Sequence, residues 1–551
     1  MKTFLLALLL AAVPVMDFNS AVLALSGALS LEELDESELE RWQRLSEHPV
    51  DINSAPRSRL LSCGLFSAFE AASILDYRTR AGDILSLGEL AQVDGIGEET
   101  AAALSHFIVL RTTRAPGQKP RERLGGSLML RASLKDASAG LRFPFGIKAE
   151  ATVGGVADLF WASRTTYSAP EFTAGTAHIA ISPRGLPCRF ILGDYSARFG
   201  QGLAMWSGFS MSGFSSVQAF RRSGTGLGAS TSFSRSLHGA AAEFETGLWQ
   251  LSAAYSYPGT GLLNATRWGR KSTLGATAAA DFSAGTLALS ADWRAASPSL
   301  ALFGEAGVWL SPDSQPAPAA LAGAVWVPSY GRKVSAVLRW YSKDYNAPSC
   351  GAARAFSKAR DEAGAAVGAL LPWLSATADF AFRPAEGTSQ QKAVVKASRS
   401  FSAGPVAVAP SLLLSVRSRP QDALPFRTEV RGDISLTCGR LSLEGRADAL
   451  WCRDFAWLWR AGPSWKGRSL QAGALFTLFK IDSWDDRIYA YERDAPGNFS
   501  IPAYYGRGWS LTALAGWKGM LYARVSIVEY PWTQPSKEGT AEAKLQCRLR
   551  F

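Results

Sequence analysis

From about residue 124 to the last residue, apolar and polar side chains alternate with a period of two. Leu128, Leu130, Ala132 and Leu134 alternate with Arg131, Ser133 and Lys135, and Ile147, Ala149, Ala151 and Val153 with Lys148, Glu150 and Thr152. Ala541, Ala543, Leu545, Cys547, Leu549 and Phe551 alternate in the same way with Glu542, Lys544, Gln546, Arg548 and Arg550. Successive side chains of a strand point to opposite faces, so each run predicts a strand with one apolar and one polar side. Spanning strands need about 9–11 residues each, and the alternating runs between residues 124 and 551 number roughly 20 to 26. The predicted architecture is a large transmembrane antiparallel β-barrel with its apolar side on lipid. Trp161, Trp249, Trp268, Trp293, Trp309, Trp326, Trp340, Trp451, Trp457, Trp459, Trp509 and Trp517 fall on these runs and are expected in its interfacial girdles.

Before residue 113 the period is 3.6. Ser30-Leu31-Glu32-Glu33 has the S-x-x-E form of a capping box and predicts a helix through Leu34, Leu39, Trp42 and Leu45, closed by Pro49. Further helices are expected through Ala71, Ile74 and Leu75, and from Gly97 to about Leu110. Residues 1–28 read as an export signal, with Lys2 at its start, an apolar core from Phe4 to Val15, and a small-residue exit at Val22-Leu23-Ala24. Residues 113–123, with Pro116, Gly117, Pro120 and four basic side chains, read as a basic linker between two unlike parts.

Composition sharpens this division. With 47% hydrophobic and 19% charged residues the chain is far from the disordered regime, and no run after the N-terminus approaches the length of a spanning helix. The six cysteines and four histidines are dispersed without metal-ligand spacing, and neither His178 nor His238 has a serine-nucleophile motif beside it. No cofactor, metal or catalytic group is therefore expected, and the chain is not read as an enzyme. The net charge of +11 is unevenly spread. Residues 29–112 hold seven basic and fifteen acidic side chains, a net of −8, while Lys2 and Asp17 cancel and the remainder carries +19. Charges are costly on lipid, so that excess is expected in the lumen and the connections, where it favours anions.

Ile52-Asn53-Ser54-Ala55, Tyr77-Arg78 and Gly95-Ile96-Gly97 resemble the paired helix-hairpin-helix units of the competence protein family ComEA, with Gly64 alone surviving in the first hairpin. The resemblance implies a small all-α helix-hairpin-helix domain over 29–112, with Gly64, Gly95, Ile96 and Gly97 as candidate DNA-binding residues, since such hairpins turn backbone amides toward a phosphate. Glu98 and Glu99 and the domain's net charge oppose that use. The terminal Phe551 resembles the assembly signal of bacterial outer-membrane barrels. The stretches Asp482–Asp494 and Ile501–Gly508 are similar to those of a family of Bacteroidota outer-membrane proteins that also carry an N-terminal helix-hairpin-helix region.

Two irregular segments interrupt the alternation. They supply the candidate lumen and loop network: Asp194, Arg198 and Gln201 from a Gly-rich stretch expected to pack inside the lumen, and Asp485, Asp486, Arg487, Glu492 and Arg493 from a charged loop. An arginine–carboxylate network through Arg487 and Arg493 is expected there rather than a calcium site. The leading functional expectation is an outer-membrane channel or transport protein, its acidic domain lying in the periplasm as a plug or a module for a periplasmic protein partner. DNA binding or uptake through the hairpins is the alternative. The partners expected are outer-membrane lipid and either an anionic solute or DNA.

Overall fold

The computed structural model describes residues 16–551 apart from 113–123 and the short stretches 137–139, 155, 166–170, 173, 184, 209–213, 221–223, 234–235, 270, 330, 419–423, 425 and 534–536. The expected basic linker lies outside the described residues. Residues 124–550 form one closed antiparallel barrel that 24 strands cross. Two shorter segments, Gly226–Ala229 and Phe401–Ala403, pair alongside without crossing. The barrel closes where Leu124–Asp136 pairs with Thr540–Arg550, in a register that sets Ser127 opposite Arg550. Closure leaves no unpaired sheet edge, which a membrane-spanning sheet cannot tolerate.

The side-chain alternation is inverted relative to a soluble barrel. In Trp249–Ser256, Trp249, Leu251 and Tyr255 are exposed outward while Gln250, Ser252 and Ser256 are buried inward. In Arg332–Tyr341, Val334, Leu338 and Trp340 face out and Ser335, Arg339 and Tyr341 face in. An apolar exterior around a polar interior is what hydrocarbon solvent selects. Ten of the twelve tryptophans expected in the girdles stand on outward positions or on the same face as outward neighbours. Trp268 and Trp309 do not: each shares the inward parity of its strand, Trp268 donating to Gln250 Oε1 at 2.7 Å and Trp309 packing on the interior core. A count of tryptophans carries no parity, so these two were misplaced.

The connections are unequal at the two ends. At the end holding both Leu124 and Phe551 they are short, such as 247–248, 372–373 and 439–440; at the other end the strands they join lie as far apart in sequence as Arg198 and Leu237, Tyr341 and Glu362, and Ile481 and Gly506. The described residues of the long connections fold back into the lumen. Phe199, Leu203, Met205, Phe214 and Phe220 pack with Phe303, Val337, Tyr341 and Tyr345 into an apolar core, and Tyr345 Oη donates to Leu203 O at 2.8 Å.

The N-terminal part is helical: α1 (Phe18–Ser26), α2 (Glu36–Glu47), α3 (Arg57–Ser62), α4 (Ala68–Ala81), α5 (Leu87–Ala91) and α6 (Gly97–Leu104). Their shared core holds Trp42, Ile52, Leu60, Ile74, Leu90, Leu104 and Phe107. Within the stretch expected to be the export signal, α1 buries Ala21 and Val22 in that core. One expectation is corrected. The long first helix starts at Glu36, not after Ser30. Asp35 caps it by accepting from Glu38 N at 2.9 Å, whereas Ser30 makes no side-chain cap and Glu33 bonds Leu29 N. A capping box does occur at Ser67 and Glu70, opening α4.

Candidate functional site

α2 is amphipathic in an unusual sense, because both of its faces are engaged by protein. Leu39 and Trp42 turn into the helical core, 2% and 1% exposed. Glu36, Glu40, Gln43 and Glu47, spaced i, i+4, i+7 and i+11, lie along a second face. That face is set against the inner wall of the barrel. Glu36 pairs with Arg164 at 3.1 Å and Glu40 with Lys148 at 2.6 Å. Gln43 Oε1 accepts from Gly497 N at 2.6 Å, and Glu47 pairs with Arg548, with Arg550 beyond it at 3.7 Å. On the flank, Glu38 bridges Arg41 (2.9 Å) and Arg198 (3.2 Å).

These partners fix where the helix lies. Arg164 ends its strand at the long-loop end, and Arg548 lies two residues before the end of its strand at the terminal end. From Glu36 to Glu47, about 16 Å at 1.5 Å per residue, α2 therefore runs down the lumen along the wall. Just before it, Glu32 reaches the far side of the same lumen: Arg446 Nη1 donates to its Oε1 at 2.6 Å, Arg431 Nη1 to its Oε2 at 3.1 Å, and Tyr491 N to Oε1 at 2.9 Å. Lys396 Nζ donates to Leu29 O at 2.6 Å, and Ser216 Oγ to Gly27 O.

Burial by itself would raise both carboxyls, but the arginines prevail. Arg431, Arg446 and Arg460 hold Glu32 well below its ordinary 4.5, and Arg41 and Arg198 bring Glu38 down to about 2. The acidic residues that would make an ordinary solvated helix face are thus the docking surface of the domain. The i, i+4, i+7, i+11 stripe was the signal in the sequence; nothing in the sequence named the bases it meets.

The candidate hairpin residues come together only in part. Gly95 (φ +91°) and Gly97 (φ +75°) adopt backbone conformations that favour glycine, and a Cβ at Gly95 would lie 2.9 Å from the Phe69 ring. Ile96 between them is buried in the core, and the exposed rim consists of Asp94, Glu98 and Glu99. Gly64 (φ +70°) sits apart, beneath Arg41. A cavity of about 730 Å³ separates these hairpins from the barrel wall, with Arg59, His178 and Arg189 among its lining. His178 is stacked on Phe160 and bonded through Nδ1 to Ser230 O at 2.8 Å.

The lumen and loop candidates act as separate pins rather than one network. Asp194 accepts from Thr176 and Ala177 N, Arg198 reaches Glu38, and Gln201 N donates to Glu305 at 2.5 Å. Asp486 is held by Arg453 N and Asp454 N, and the Asp485 backbone carbonyl by Arg427. Glu492 is held by Arg524 and Tyr504, while Arg493 turns away to Glu444 at 2.7 Å and Arg487 to Tyr489 Oη at 2.9 Å. The charged loop is therefore held mainly to barrel strands, with Arg493 its own contribution to that hold. Asp482 is paired with Arg507.

No family model and no curated protein matches the chain. Its fold is similar to solved outer-membrane barrels. The P pilus usher (PapC) translocation pore is 11% identical with a TM-score of 0.41, over 78% of this chain and 99% of that one. The FrpB iron transporter from Neisseria meningitidis is 9% identical with a TM-score of 0.37, over 77% and 81%. OccK2 (OpdF) from Pseudomonas aeruginosa is 9% identical with a TM-score of 0.32, over 78% and 98%. At these identities the likeness is one of fold.

Proposed function

We propose that this protein is an outer-membrane channel or transport barrel held shut by its own N-terminal domain, a plug that enters from the periplasmic side. One observation carries the reading: the acidic face of α2, with Glu32 before it, is ion-paired to inward-facing bases on opposite walls of the lumen. A domain held by charge leaves more readily than one held by an apolar core, since each ion has water as an alternative partner. The apolar outer surface supports placement in a lipid bilayer, and the short connections at the terminal end support a periplasmic location for both termini. The described helices are not long and apolar enough to cross a membrane, so crossing falls to the strands.

The test is the current carried by the mature protein in a planar bilayer, compared with a chain lacking residues 16–112 and with full chains carrying Glu40→Lys, Lys148→Glu or both. Large currents from the truncated chain and from each single reversal, with closure restored in the double reversal, are the expected result. Equal, negligible current from every form would sink the plug reading.

A further inference from the structure

Two arginines stand side by side on the barrel wall where like charges should repel. Arg446 and Arg460 are directly opposite each other across neighbouring strands, and both are buried, at 4% and 9% exposure. Like-charged pairs in that position are destabilising unless an anion lies between or beside them. Arg431 joins them from the next strand. Each of two guanidinium groups is oriented by the barrel itself: Arg431 Nε donates to Asp433 at 2.8 Å, and Arg446 Nε and Nη2 donate to Asp448 at 2.5 and 2.9 Å. Their remaining Nη1 donors converge on the Glu32 carboxylate, with the Tyr491 N–H as a third. Arg460 is turned to the same strap through Tyr491 O at 2.5 Å.

Every donor in this arrangement belongs to the barrel or its inward loop, and only the acceptor comes from the plug. The aspartates that aim Arg431 and Arg446 stay in place when Glu32 leaves, so the donors remain oriented toward an absent anion. Guanidinium pairs with a converging backbone amide match the two oxygens of an oxyanion.

We propose that Arg431, Arg446 and the Tyr491 amide form an oxyanion-binding site for a carboxylate- or phosphate-bearing solute, a site that Glu32 occupies in the closed protein. The step from bound ion to passing solute rests on the plug reading; the site itself rests on the barrel alone. Release of the domain uncovers the site, and a solute anion competes with Glu32 for it, which couples solute arrival to opening.

Chemical rescue tests this in the full chain. Glu32→Ala lowers the midpoint of thermal unfolding, and acetate or phosphate is expected to restore about half of that loss or more by filling the vacant site, while chloride at equal ionic strength does not. Adding Arg446→Gln to Glu32→Ala abolishes the rescue. Restoration by chloride equal to that by the oxyanions, or none by either, overturns the site, as does rescue that survives Arg446→Gln. Should Glu32→Ala fail to fold, the wild-type chain is titrated instead: acetate or phosphate is expected to raise its bilayer current where chloride at equal ionic strength does not, and equal effects of the three anions overturn the site. Bilayer current separates the two readings: current from Glu32→Ala without rescue rejects the site and leaves the plug, and rescue without current does the reverse.

Discussion

The lumen is filled by two kinds of material that meet in the middle. On one side, Phe199, Leu203, Met205, Phe214, Phe220 and Tyr345 pack an apolar core against Phe303, Val337 and Tyr341, and the fully buried Arg339 binds Glu362 at 2.6 Å and Asp379 at 2.8 Å. On the other side, the N-terminal domain is held by ion pairs and hydrogen bonds, several of them partly solvated, with apolar contact of its core confined to Trp268, Tyr491, Phe499 and Ile501 among the described residues. The first filling is part of the barrel's core; the second, on the proposed reading, is a removable occupant. Water competes for separated ions and not for apolar side chains, so the proposed path is the half occupied by the N-terminal domain, lined by Lys148, Arg164, Arg431, Arg446 and Arg548.

The largest expected effect breaks the permanent half. Arg339→Ala strands Glu362 and Asp379 without a counter-charge in a dry interior and should cost the barrel about 3–5 kcal/mol, read as a lowered denaturant midpoint with no rise in bilayer current. A current rise as large as that of the truncated chain would erase the distinction between the halves. The double variant Glu32→Gln, Glu47→Gln acts on the removable half. It should raise the open fraction at least tenfold, since about 1.4 kcal/mol is enough for that, with the denaturant midpoint of the barrel little changed.

Acid should act on the same half more gradually. The folded values of Glu32 and Glu38 lie below their ordinary 4.5, so their contribution to docking is complete above about pH 4.5 and is lost as pH falls through the folded values, about 2 for Glu38. Current should stay low from pH 7 to 4.5 and rise below it; opening between pH 6 and 7 would point to other groups. The smallest effect is expected at Glu36, whose side chain is 52% exposed beside Arg164. Glu36→Gln should shift the open fraction by less than about fivefold, as an exposed pair contributes up to about 1 kcal/mol, and added salt should mimic it.

Much of this was legible beforehand. Alternation with a period of two reports a sheet with two unlike faces, because strand geometry alone sets that period; length then sets an approximate strand count, and composition places the apolar face outward. The acid stripe of α2 was legible as spacing, and the opposite charges of the two parts as a reason for them to meet. Capping was less legible: Ser30 and Asp35 both precede acidic residues at suitable distances, and only the packing of Leu39 and Trp42 selects Asp35. The same holds for α1, whose apolar residues suit an export signal and a packed helix equally well.

What the sequence by itself determined is therefore local: periodicity, helix faces, the charge of each part and the glycines at the turns between helices. What only the tertiary structure decided is pairing across the barrel. Glu47 meets Arg548 over 501 positions of chain and Glu32 meets Arg446 over 414, and no local pattern encodes which of many inward bases faces which acid. Closure of the barrel sets that choice, because strand register places each inward side chain at one height and one angle around the lumen, and the plug binds the constellation that results.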